Sequence, residues 1–121
     1  MSTWDSVIFN EDAVTELFEE VDALDGDDRA DALLDACKLA IGDATEEEER
    51  AGLGAATVAA IWCGAPFSAG EIVNDNPFIR EGIGSCPEGL REAAGEVFES
   101  LLDGLSDEEQ EAAEDFAEAV S

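Results

Sequence analysis

Histidine is absent from this chain of 121 residues, and positive charge is scarce: Lys38 is the single lysine, joined by Arg29, Arg50, Arg80 and Arg91. Without histidine there is no imidazole base, so Ser-His and Cys-His nucleophilic catalysis is excluded. The glutamate–histidine pairs of di-iron bundles are excluded too. Five scattered cations form no basic patch, so neither a nucleic-acid backbone nor an anionic membrane surface is an expected partner.

Cysteine is also sparse. Cys37, Cys63 and Cys86 include no CxxC pair, so the grouped ligands of a zinc site are missing. An odd number of cysteines points to reduced thiols and a cytoplasmic location, where a buried thiol acts as a small apolar side chain. Cys86, just before an expected helix, is better placed for reactivity than Cys63. The opening MSTWDS has no basic region and no apolar run, so no signal peptide is expected. Strand-like alternation, internal repeats and a glycine-rich phosphate loop after a strand are all lacking.

What the chain has is acid. Asp and Glu number 32 against 5 Lys and Arg, for a formal net charge of −27. Its hydrophobic fraction of 45% nevertheless argues for a folded chain, because disorder requires low hydrophobicity as well as high charge. Three readings of the acidity compete. The first is adaptation to concentrated salt, where screening shortens to about 3 Å at 1 M and self-repulsion becomes tolerable. The second is steering toward a basic partner protein. The third is mimicry of a nucleic-acid phosphate surface.

Against this background, residues 52–70, GLGAATVAAIWCGAPFSAG, carry no charged side chain. The length approaches that of a membrane span, but Gly64 and Pro66 interrupt it and much of it is Ala and Gly. No spanning helix is expected. A helix that is apolar all round is instead one surrounded by other helices, and its many alanines and glycines let neighbouring backbones come close.

The remaining pattern is helical, with marked starts. Asn10 is placed as an N-cap, with Phe9 and Val14 as a hydrophobic staple, followed by Val14, Leu17, Phe18 and Val21 on one face. Gly26 breaks the chain. A second helix is expected over residues 28–41, with Ala30, Leu33, Leu34, Cys37 and Ile41 inward and Gly42 as its stop. Thr45 to Glu48 is a capping-box pattern that opens the central helix. Ser68 to Glu71 repeats it before a short helix over residues 69–73, and Asn76-Pro77 opens another brief turn through Arg80. A fourth main helix is expected over residues 87–103, with Leu90, Ala94, Val97, Phe98 and Leu101 inward. Ser106 to Glu109 caps a fifth, whose Ala112, Ala113, Phe116 and Val120 face inward. The expectation is one all-α domain: a compact bundle of about five helices around a central uncharged helix, with a short-helix connector after it.

No catalytic residue, metal ligand or cofactor site is assigned. The acidic turn around Gly26 fails as a calcium loop, because Val21 and Ala23 fall where the first two oxygen ligands belong. One region offers a binding site: Trp62, Phe67 and Phe78 as an apolar floor, with Glu71, Asp75 and Arg80 as polar groups, the usual make-up of a pocket. The same groups also have structural uses, Glu71 as a cap and Arg80 as a partner for Asp75.

Two stretches resemble a known family. Thr3-Trp4-Asp5 through Phe9-Asn10-Glu11-Asp12-Ala13 is one, and Ala55 through Phe67 is the other; together they are similar to the prokaryotic domain-of-unknown-function 4259 family. The resemblance covers most of the chain and implies a compact domain. It implies no activity and no site residues, and it makes Trp4 and Phe9 anchors of the N-terminal segment in the core.

The functional expectation is therefore a non-enzymatic, salt-adapted interaction or accessory module, antidote-like in binding a basic protein. The alternative is a small-molecule or divalent-metal carboxylate site near the connector. A homodimer is compatible with the apolar connector.

Overall fold

The computed structural model describes residues 4–65 and 70–120. Among the described residues there are eight α-helices, one 3-10 turn and no strand. They are α1 (Trp4–Phe9), α2 (Asp12–Asp22), α3 (Gly26–Ile41), α4 (Glu46–Trp62), α5 (Gly70–Asp75), α6 (Phe78–Glu81), α7 (Glu88–Leu101) and α8 (Asp107–Ala119), with the 3-10 turn at Leu102–Gly104. The molecule is all-α, and α2, α3, α4, α7 and α8 are its five main helices.

The uncharged helix is the hub. Every residue of α4 from Gly52 to Trp62 is buried. Helices α3 and α7 pack against it and against each other, while α1, α2, α6 and α8 close the remaining sides. Small side chains make this possible. A methyl group on Gly52 would overlap Ala40 of α3, and one on Gly54 would overlap Val14 of α2. The start of α4 is fixed by its capping box: Glu48 N–H donates to Thr45 Oγ1 at 3.2 Å and Thr45 N–H to Glu48 Oε1 at 3.0 Å. Four glutamates in its first turn complement the helix dipole. The same reciprocal cap opens α8 at Ser106 and Glu109. The third expected box, at Ser68, lies outside the described residues.

Several boundaries differ from the sequence expectation, among them α5 at Gly70–Asp75 in place of 69–73, and α6, capped by Pro77 and running to Glu81. Residues 4–9 form a helix of their own, whose Trp4, Ile8 and Phe9 are buried. Helix α2 is capped by extended Glu11 rather than Asn10, because the Glu11 carbonyl accepts the first intrahelical bonds, from Val14 and Thr15. Gly26 does not break the chain but starts α3. A helix's first turn makes no intrahelical N–H bonds, so a glycine there costs little. Helix α7 begins at Glu88 and gives way to the tighter 3-10 turn after Leu101.

Trp4 ties α1 to the hub. Its indole N–H donates to Thr57 Oγ1 at 2.8 Å, and the Thr57 hydroxyl donates in turn to the Leu53 carbonyl at 2.7 Å. Edge-on ring contacts extend the anchor, Trp4 with Phe98 and Phe9 with Phe18. Thr57 is the one buried polar side chain among the described residues. Thr57→Val keeps the shape but leaves the Trp4 indole N–H without an acceptor, and a buried orphan donor costs about 1–3 kcal/mol. A thermal melt should show the variant folded with its midpoint lowered by several degrees. An unchanged midpoint would mean that Trp4 is not held through this bond.

Candidate functional site: a groove on α2, α3 and α4, and a cavity beside Trp62

The chain leaves α4 through Cys63 and Gly64, where Gly64 takes a positive φ of 109°. After the connector it comes back over the helix end. Trp62 Nε1–H donates to the Ile79 carbonyl at 2.8 Å, and Gly84 N–H donates to the Trp62 carbonyl at 2.9 Å. Gly82 lies flat against the Trp62 indole, where any side chain would overlap the ring. This packing leaves a cavity of about 280 Å³ lined by Arg29, Trp62, Phe78, Glu81, Ser85 and Pro87, among others.

Of the six expected site residues, the cavity brings together Trp62 and Phe78. Both are core residues, 5% and 1% exposed, and Phe78 meets Phe18 edge-on. Asp75 and Arg80 are exposed and do not line the cavity. Phe67 and the side chain of Glu71 lie outside the described residues. The polar groups at the cavity are instead Arg29 and Glu81, joined by an ion pair of 3.0 Å. Arg29 Nη2–H also donates to the Asp22 carbonyl at 3.4 Å, and its Nε is buried with no partner. The guanidinium thus braces α3 against α6 and against the end of α2. Among the described residues, no group of three Cys, Asp or Glu side chains is arranged to hold a metal ion. No described helix is long and apolar enough to cross a membrane.

A second concavity opens on the other side of the hub, between α2, α3 and the first half of α4. Ala13 and Leu17 of α2, Ala36 and Leu39 of α3, and Ala51 of α4 form its apolar lining, and Glu16, Glu20, Glu47 and Glu48 stand around it; its volume is about 240 Å³. Leu39 is 58% exposed, the most exposed large apolar side chain among the described residues. It lies between Cys37 and Ala40 in sequence but off the inward stripe of Leu33, Ala36, Cys37 and Ala40, and it is left exposed. The hollow between the 3-10 turn and α8 is walled by Asp107, Glu111, Glu114 and Glu118, with Leu102 and Ala117 as its apolar part.

Compared with protein families, curated proteins and solved structures, the chain matches none. The α2–α3–α4 groove combines a run of apolar side chains with a ring of like charge, as does a hollow on α7 where Phe98, Leu102 and Ala117 lie among Glu92, Glu96 and Glu99; the exposed Leu39 is what sets the first apart. Periodicity alone did not reveal it: Leu39 reads as an exposed helical leucine, and its partners come from two other helices.

Proposed function

We propose that this chain is a non-enzymatic interaction module that binds a basic partner protein, of the accessory or antidote type, and that its surface is adapted to concentrated salt. The occupant of the α2–α3–α4 groove is an amphipathic segment whose apolar side chains meet Leu17 and Leu39. Its Lys and Arg residues meet Glu16, Glu20 and Glu47. The observation that carries this reading is Leu39, left uncovered on an apolar floor inside a carboxylate rim. Opposite charge sets encounter rate and orientation, and the apolar floor adds affinity that salt does not screen. Membership of the domain-of-unknown-function 4259 family is part of the proposal. It rests on the sequence resemblance of residues 3–13 and 55–67 alone.

A labelled amphipathic leucine–lysine peptide is the probe, titrated against the protein and against Leu39→Glu in molar KCl. Leu39 is exposed, so the variant should keep its circular-dichroism melt. Its affinity for the peptide should fall at least tenfold, about 1.4 kcal/mol. Equal affinity for both proteins would mean that the contact is diffuse charge attraction and that the groove is not a site.

A further inference from the structure

The cavity beside Trp62 contains an arginine whose hydrogen bonds are incomplete. Arg29 Nη1–H donates to Glu81 Oε2 at 3.0 Å, Nη2–H donates to the Asp22 carbonyl at a long 3.4 Å, and Nε, which is buried, has no acceptor. Nε–H and Nη2–H lie side by side on one edge of a guanidinium, and a carboxylate grips such an edge with both oxygens. On Arg29 that edge carries one long bond and one missing bond. A buried donor without an acceptor is costly, and this chain has 32 Asp and Glu from which a partner could have come. The carboxylate that Arg29 does hold is replaceable. Glu81 is 66% exposed, and an ion pair so open to water contributes little.

We propose that this cavity binds a small planar monocarboxylate, whose carboxylate takes the place of Glu81 on Arg29 and whose apolar body lies against Trp62 and Pro87. The lining has the make-up of a ligand site, apolar walls with a few polar groups, Arg29 and Ser85 among them. Its volume of about 280 Å³ is just below the usual range for ligand pockets, so the occupant is small. Nε is closed off from solvent while Glu81 holds the guanidinium. Release of Glu81 into water frees the guanidinium to turn its unfilled edge to the ligand, which makes Glu81 the ligand's competitor. A single negative charge is the one that fits. The net charge of −27 repels any anion, a phosphate twice over, and Arg29 is the single cation of the lining. The site shares no residue with the α2–α3–α4 groove and stands whether or not that groove binds a partner.

The test titrates potassium phenylacetate into the isotope-labelled full chain in molar KCl, followed by proton–nitrogen correlation NMR, with equal added KCl as the blank. The Arg29 Nε–H and Trp62 indole N–H signals should shift saturably, while the indole of Trp4, bonded to Thr57 in the core, stays in place. Phenylacetamide has the same shape without the charge and should bind about tenfold more weakly, the loss of one charge-assisted hydrogen bond. Arg29→Lys keeps the charge but lacks the two-donor edge, and should weaken phenylacetate by about the same factor. Glu81→Gln, a change at an exposed side chain, should bind phenylacetate about threefold more tightly, the strength of the exposed ion pair that no longer competes. An Arg29–Glu81 contact that only braces the fold gives no such gain. No saturable shift, equal binding of the amide, or unchanged or weaker binding by Glu81→Gln would each overturn the assignment. None of these three readouts requires an Arg29 variant to fold.

Discussion

Ala60→Glu unfolds the protein. The helical circular-dichroism signal and the cooperative melt should both be lost, even in molar KCl, and Ala59→Glu should behave alike. Both alanines are fully buried on α4, with α4 itself enclosed on every side. A glutamate there is an unpaired charge with no route to water. Its cost is several kcal/mol, with overpacking adding about 1–3 kcal/mol. A typical domain is held by only about 5–15 kcal/mol. The exposed Leu39→Glu is the control, since it adds the same charge without burying it. A cooperative melt within a few degrees of wild type for Ala60→Glu would show that α4 has an open face.

Molar KCl should raise the melting midpoint far above its value in dilute buffer. The motivation is the formal charge of −27 and its placement. Acids occupy the outer faces of α2, α3, α7 and α8, and across the chain 32 carboxylates face only five cations. A domain of this size has a radius of gyration of about 14 Å. Screening reaches about 30 Å at 0.01 M but only about 3 Å at 1 M, so in dilute buffer each carboxylate feels all the others, and in molar salt almost none. At this chain length each kcal/mol moves the midpoint by about 4 °C. Relief of about 5 kcal/mol of self-repulsion would then give about 20 °C. Sucrose at matched osmolality is the control, because salts also act by exclusion from the surface. A midpoint indifferent to KCl, or raised equally by sucrose, would remove salt adaptation and leave the charge to partner recognition alone.

The hub was legible in the sequence because it depends on an absence. No charge interrupts residues 52–70, and the structure buries α4 there on all sides. The caps at Thr45 and Ser106 were legible because they depend on residues three apart. Trp4 and Phe9 were legible as core anchors, 1% and 2% exposed, but α1 itself was not: six residues span less than two turns and carry no readable period. The candidate sites were harder because they join distant segments. Arg29 meets Glu81 across 52 positions, and Leu39 gains its apolar floor from α2 and α4. One signal for Arg29 was present: a scarce cation in the first turn of a helix, where the dipole disfavours it, has to find its partner elsewhere in the fold.

Amide hydrogen exchange in molar KCl tests the enclosure of α4 most directly. The amides of residues 55–62 should be the slowest in the molecule, exchanging only through global unfolding. Exchange of these amides within seconds, at the rate of the surface turns, would contradict the fold's central premise.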